Sequence, residues 1–360
     1  MNDDRHFIGL DVGADELTAC SINAAGEILI EASLPSSWER VAKFVDDNIG
    51  KEFAAIGLEA GSTGTLIARR LRENGYTVHV FETRQVGKFL KIRQNKTDLN
   101  DARGLADIAR LGIGVVTEVY LKSPEFQQLR TKLTLRQKLV RHRVAGEGAI
   151  NSVFRLNGGR LVNSRSATGL RRNVDAELDR LRDVQGVDLK RDIRPILKIC
   201  LATRNYLERL DRELTKIAEN NAICARFMEI PGVGPISALS FYSAIEDPKR
   251  FPKSEDVGAY LGLVPRIKQS GRVLHHHRIS KMGNTMTRAH LTMAAGTMMR
   301  QTTIDCAMRT WALGLSARVG RAKAKTALAR KLAVVMVSMW KNDMPFSTKG
   351  ADAGQPVQLD

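Results

Sequence analysis

Phe7-Ile8-Gly9-Leu10-Asp11-Val12-Gly13 reads as a buried strand that ends on an acid and a glycine. Leu17 to Ile22 and Glu27 to Ala32 repeat the strand pattern, with Asn23-Ala24-Ala25-Gly26 as the turn between them. The chain is therefore predicted to open as three antiparallel strands. Trp38 to Ile49 carries the period of an amphipathic helix. Phe53 to Leu58 is a fourth strand, running into Glu59-Ala60-Gly61-Ser62-Thr63-Gly64. Thr65 to Asn74 is a helix closed by Gly75, and Tyr76 to Phe81 is a fifth strand. The order βββαβαβα predicts an α/β unit, a mixed sheet with helices on its faces.

Asp11 and Glu59 both fall at the C-terminal ends of predicted strands, where ligand sites of open α/β sheets collect. A second pair of acids follows in Lys96-Thr97-Asp98-Leu99-Asn100-Asp101-Ala102-Arg103-Gly104-Leu105-Ala106. Asp98 and Asp101 are three residues apart, and Ala102, Leu105, Ala106, Ile108, Ala109 and Leu111 continue as an apolar helical stripe. Taken alone, the pair fits a solvated helix start with Asp98 as N-cap. Because this helix follows the fifth strand, it can pack across the edge where Asp11 and Glu59 stand. Four acids from three segments then converge, and their mutual repulsion is relieved by cations. An all-oxygen set of this kind suits two hard divalent ions such as magnesium, with manganese as a substitute. Such a pair can stabilise the attacking and leaving oxygens of a phosphodiester.

The 360 residues carry a net charge of +17 and an isoelectric point near 10, which points to a polyanionic partner. The charge is uneven. Residues 1–105 hold 13 Lys+Arg against 16 Asp+Glu, and residues 106–360 hold 43 against 23, a net of +20. Cys20, Cys200, Cys224 and Cys306 form no CxxC pair, which disfavours a zinc ribbon or disulfide framework and suits a reducing cytoplasm. The polar, acidic start predicts no signal peptide, and the best apolar run, Leu332 to Trp340, is too short for a membrane.

From about 118 to 228 helix formers dominate. Leu129, Leu133, Val140 and Val144 line one face of a helix that also carries Arg130, Lys132, Arg136, Lys138, Arg141 and Arg143, a basic row able to track a nucleic-acid backbone. Leu207, Leu210, Leu214 and Ile217 form a heptad seam flanked by Glu208/Arg212 and Arg209/Glu213 pairs. Two long helices in a coiled coil, within one chain or across a dimer, account for both patterns. Gly158 to Gly186 between them reads as partly loop.

Ile230-Pro231-Gly232-Val233-Gly234-Pro235 precedes a helix from Ile236 to Ile245. It fits either a hairpin whose backbone N–H groups at Gly232 and Gly234 hold a phosphate, or a structural turn. Further on, Ser270-Gly271 is surrounded by Arg266, Lys268, Arg272 and Arg278, with Lys281 in Ile279-Ser280-Lys281-Met282-Gly283-Asn284. These cations would lower the cost of a serine alkoxide and hold a phosphate, although a Ser-Gly pair is also an ordinary turn. His275-His276-His277 point in different directions and suit a loop or phosphate contact better than a metal. Helical patterns return from Thr285 to Arg300 and from Ala322 to Trp340. The tail from Ser347 is predicted to be disordered.

Gly9-Leu10-Asp11-Val12, Gly57-Leu58-Glu59-Ala60, Lys96-Thr97-Asp98 with Asp101-Ala102, Ile230 to Gly234, Tyr260-Leu261-Gly262-Leu263-Val264-Pro265, Ser270-Gly271 and Ile279 to Asn284 occur in this order across nearly the whole chain. In this the sequence resembles the DEDD-type insertion-sequence transposases, also described as bridge-RNA-guided serine recombinases, a group that includes pilin-gene DNA invertases. The resemblance implies a RuvC-like, RNase H-fold domain at 1–117 that holds Asp11, Glu59, Asp98 and Asp101 around magnesium. It implies coiled-coil helices at 118–228, a mainly helical transposase domain at 229–345 and a tail at 346–360. It also implies that a serine, here Ser270 with Ser280 second, becomes covalently joined to donor or target DNA. A structured guide RNA and a homo-oligomer, dimer or tetramer, in which the acids of one protomer meet the serine of another, follow from the resemblance alone.

Three other readings compete. A Holliday-junction resolvase or RNase H-like nuclease would cut with metal only, leaving Ser270 as a turn. A sugar-kinase or actin-like ATPase also opens with Gly-x-Asp-x-Gly, as Gly9 to Gly13 does, but needs a second phosphate loop and an adenosine motif, neither of which is found. A non-catalytic architectural protein would carry four clustered acids at a stability cost without return.

Overall fold

The computed structural model describes residues 5–92, 95–112, 114–270, 273–301 and 306–348, with the side chains of 267–277 outside that description. The chain divides into two compact units, Met1–Lys122 and Ser123–Asp360. The residues on either side of position 228 lie in one of them.

The first unit is a five-stranded mixed sheet with helices. Its elements are β1 (His6–Val12), β2 (Glu16–Ile22), β3 (Ile28–Pro35), α1 (Trp38–Asn48), β4 (Ala54–Glu59), α2 (Ser62–Glu73), β5 (Thr77–Phe81), α3 (Thr83–Leu90) and α4 (Asp98–Leu111). The order across the sheet is β3-β2-β1-β4-β5. β1, β2 and β3 run antiparallel, while β4 and β5 add in parallel beside β1. The mixed sheet expected from the element order is present, and each strand lies within a few residues of its predicted place.

Two details differ from the reading of the sequence. α3 was not anticipated; it is short and starts from Glu82, whose carboxylate caps the N–H of Gln85. The N-cap of α4 is Thr97, not Asp98: the Thr97 hydroxyl accepts from Asn100 N–H at 3.2 Å, which moves Asp98 into the helix as its first residue. Ile8, Leu10, Ile56, Leu58 and Val80 pack on one side of the sheet with α1 and α2. Phe7, Cys20, Phe81, Ala102, Leu105 and Ala106 pack on the other, with α4.

The second unit begins with three helices, α5 (Pro124–Leu156), α6 (Ala167–Gln185) and α7 (Lys190–Asn220). Residues 167–185, where the sequence pattern is mixed, are a regular helix capped by the Ser166 hydroxyl. α5 and α7 run antiparallel: Lys132 pairs with Glu213, Arg136 with Asp211, and Arg204 with Glu147. Glu213 therefore bonds across the helices. Arg212 donates to the Glu208 backbone carbonyl at 3.3 Å, so the pairs predicted within α7 are replaced. Leu207 and Leu214 of the predicted seam are buried, with Leu210 and Ile217 packed partly against the core. The far ends of α5 and α7 close a small core with α6 around Phe154, Val174, Leu178 and Leu197.

The chain continues with α8 (Ala222–Met228), α9 (Pro235–Ile245), α10 (Asp256–Tyr260), the two-stranded antiparallel hairpin β6 (Pro265–Ser270) and β7 (Val273–Ile279), α11 (Thr285–Arg300), α12 (Ala307–Val319) and α13 (Arg321–Asn342). The hairpin and α12 were not predicted. The main core of the unit gathers Phe227, Leu239, Phe241, Leu291, Leu328 and Met336. Phe227 meets Phe241 and Trp340 edge-on. Among the described residues no helix is long and apolar enough to cross a membrane. Most of the predicted tail lies outside the described residues.

Candidate nuclease and nucleic-acid site

Two glycines decide where the acids of the first unit stand. Gly9 and Gly57 are directly paired on the parallel strands β1 and β4. A Cβ on Gly9 would lie 1.9 Å from the Ala102 carbonyl, and one on Gly57 would lie 3.1 Å from that of Leu105. Only a strand without side chains at these points lets α4 lie so close. Side chains alternate across a sheet, so Asp11 and Glu59, two residues on, share the face that α4 covers. They stand one step beyond the paired residues Leu10 and Leu58. Asp101 precedes the contact residue Ala102, and Asp98 lies one turn nearer the start of α4.

The charges of the cluster register in the proton affinities of Asp11 and Glu59. Burial pushes the Asp11 carboxyl up to about 6, and the charges of Asp101, Asp98 and Glu59 act in the same direction, against Lys96. Glu59 is also raised, first by burial and then by Asp101 and Glu82, while a hydrogen bond with the Thr83 hydroxyl and the charge of Lys96 oppose the rise. The structure thus brings Asp11, Glu59, Asp98 and Asp101 into one electrostatic field. It does not close them into a cage: among the described residues no group of three or more His, Cys, Asp or Glu side chains is placed to hold a metal ion. The donor set, all carboxylate oxygens with a shared excess of negative charge, fits a hard divalent cation.

Thr83, Glu82 and Lys96 are neighbours of the site to which the sequence reading gave no role. The available signal was position, since Glu82 and Thr83 directly follow the last residue of β5.

The basic row on α5 divides into two classes. Lys132 and Arg136 are held by Glu213 and Asp211, so their charges are spent on α7. Arg130, Lys138 and Arg141 are exposed, and Arg143 is half-buried. Of the seam on this helix, Leu133 is buried, but Val144 is 57 % exposed, so the seam does not run through to it.

Gly232 has a packing reason that the sequence reading did not see. A Cβ there would stand 2.6 Å from the Ala294 carbonyl, so its backbone lies against α11. Gly234 caps the start of α9 in open space.

Ser270 is the last residue of β6 and is paired with Val273, the first residue of β7. Arg272 lies outside the described residues, as do the side chains of Ser270, Lys268 and the three histidines. Arg266 donates to the Ser280 carbonyl at 3.0 Å, and the Ser280 hydroxyl accepts from Met282 N–H at 3.5 Å. Ser280 is therefore part of the hairpin base. Buried Arg288 braces that base by donating to the Leu261 and Met282 carbonyls, each at 2.9 Å. Arg278 and Lys281 are exposed, and Lys281 holds a left-handed backbone at φ 57°.

Residues 8–156 match the DEDD_Tnp_IS110 transposase family, and residues 224–310 match the Transposase IS116/IS110/IS902 family. The first match contains all four acids and the second contains Ser270. The chain is 28% identical over 343 residues to a protein of Coxiella burnetii named as the transposase for insertion sequence element IS1111A, covering 92% of this chain and 89% of that one. It is 26% identical over 289 residues to the transposase for insertion sequence element IS1328 of Yersinia enterocolitica, covering 77% and 81% respectively.

Proposed function

Taking the chain as the DEDD-type insertion-sequence transposase that these two domains make it, we propose that it cuts and rejoins DNA strands through a serine-linked intermediate formed beside a metal-holding acidic site. The observation that carries the reading is the placing of Asp11 and Glu59 one residue beyond the paired Leu10 and Leu58, on the sheet face that α4 covers, with the Asp11 carboxyl raised to about 6 by burial and by its neighbours' charge. Clustered acids that destabilise their own unit are retained when a cation is their partner.

In this reading the first unit is RuvC-like, of the RNase H type, and Asp11, Glu59, Asp98 and Asp101 hold magnesium, two ions in the full site. Metal bound there supplies positive charge beside the negative charge that develops on the attacked phosphate. The Ser270 hydroxyl gives up its proton and its oxygen bonds to phosphorus. The bond from phosphorus to the leaving strand's sugar oxygen breaks, and that oxygen takes a proton. The phosphodiester energy is kept in the serine link, so a second strand's hydroxyl can reverse the step and be joined. Arg266, Arg278 and Lys281 hold the phosphate, and Arg288 keeps their hairpin in place.

The excess positive charge of residues 106–360 supports contact with nucleic-acid backbones through Arg130, Lys138, Arg141 and Arg143. A structured guide RNA encoded beside the gene and a homo-oligomer complete the reading, supported by the likeness of the motifs to the family.

The test mixes purified protein, magnesium, the transcribed end of the element and two DNA sites, and measures recombinant product. Wild type yields product, and Asp11→Ala, Asp101→Ala and Ser270→Ala do not. Product from Ser270→Ala alone would replace this reading with cleavage by metal only.

A further inference from the structure

A cavity of about 370 Å³ opens between α5, the connector 157–166 and α7, and no step of the reaction above uses it. Its back is rigid. The Arg204 side chain, 5% exposed, is fixed by Glu147 at 2.7 Å and by the Ser164 carbonyl at 2.9 Å. Val144 and Leu161 offer apolar surface, and Asn151 and Asn163 add amides. Asn151 uses its oxygen to accept from Leu161 N–H at 2.9 Å, which leaves its NH₂ to donate. Arg143 also lines the cavity, and its Nε is buried with no hydrogen-bond partner among the described residues. A buried guanidinium N–H without an acceptor is costly, and an anionic oxygen would satisfy it.

The volume is in the range of small-ligand pockets, roughly 300–1,000 Å³, and is far larger than a lone anion needs. An apolar gap, amide edges and an unsatisfied guanidinium complement a flat base, its polar rim and its phosphate. We propose that this cavity seats one unpaired nucleotide of the nucleic acid that the enzyme handles, with the base between Val144 and Leu161, its edge toward Asn151 and Asn163, and a phosphate oxygen on Arg143 Nε. A base already unpaired enters at least cost, because no pair must be broken to extrude it. The inference rests on the chain being a DNA transposase and is independent of which residue attacks the phosphate.

Gly148 supplies the decisive variant. It lines the cavity, and a Cβ there meets nothing within 4 Å. Gly148→Leu therefore starts its side chain in open space at the cavity, and it favours the helix. Binding is measured with a short DNA duplex carrying a single-nucleotide bulge, with the fully paired duplex, and with the same pair made in RNA. Wild type binds the bulged duplex about tenfold tighter than the paired one in at least one of the two backbones, and the backbone showing the preference names the source. Gly148→Leu removes the preference while paired-duplex affinity stays unchanged and the melting midpoint does not fall. Arg143→Gln reduces the preference. Absence of preference in wild type for both backbones, or its persistence in Gly148→Leu, overturns the proposal. Binding is read without strand exchange, so a failed recombination assay leaves this result separate.

Discussion

The Ala102 carbonyl lies 1.9 Å from where a Cβ on Gly9 would stand, so α4 rests directly on the backbone of β1. That contact sets Asp101 beside Asp11, because each acid lies close in sequence to one of the two touching residues.

Gly9→Ala forces the helix off the strand. The Ala106 N–H, 2.3 Å from the same point, leaves no sideways escape. We expect a loss of about 3 kcal/mol or more, seen as a drop of several degrees in the melting midpoint, with any remaining folded protein impaired in strand exchange. A midpoint unchanged within one degree would contradict the packing.

Asp11→Asn should stabilise the protein while abolishing recombination. The folded pKa of Asp11, about 6, lies above its ordinary 3.8, so its charge lowers stability as pH rises from 3.8 through 6, and the full cost persists above 6. Removing that charge at pH 7.5 is worth about 1–2 kcal/mol after solvent screening. Magnesium should raise the melting midpoint of wild type more than that of the variant. A variant less stable than wild type in the absence of divalent ions would show that the acids do not repel one another.

His290 gives the second unit a pH dependence of its own. Burial, with the Arg136 charge adding to it, pushes its pKa down to about 4 from 6.5, and its Nδ1 is buried without a partner among the described residues. The unfolded chain binds the extra proton between these values, so this contribution is complete above 6.5 and is lost as pH falls toward 4. Denaturant titrations of wild type and His290→Gln at pH 7 and pH 4.5 isolate it. The wild type should lose about 2–3 kcal/mol more than the variant across that range. Parallel losses would refute it.

Salt dependence of DNA binding separates the basic residues of α5. Lys138→Gln and Arg141→Gln each remove an exposed cation and should lower the slope of log K against log salt by about one. Lys132→Gln should leave the slope nearly unchanged, because Glu213 already holds that charge. Equal effects from all three would show that the Lys132 pair opens when DNA binds.

The sequence placed the five strands of the first unit to within a few residues and put Asp11 and Glu59 at strand ends, but it missed α3. Alternating apolar residues specify strands through the period-two geometry of the backbone, and an acid after a buried strand is legible wherever it occurs. The basic excess of residues 106–360 was legible for the same reason: charge is a property of composition. Helical periodicity puts Lys132 and Arg136 on one side of α5 and Lys138 and Arg141 on the other, but only the fold shows that Glu213 and Asp211 of α7 meet the first pair and leave the second to water. Nor could the sequence show that Gly9 and Gly57 act through α4 or that Gly232 acts through α11, since each glycine is explained by backbone that arrives from far along the chain. The hairpin of β6 and β7 was missed because its short strands carry arginine, lysine and histidine where a strand pattern would place apolar residues. Those decisions belong to tertiary structure: a side chain's partner, and hence its charge state and freedom to bind, is fixed by what packs against it.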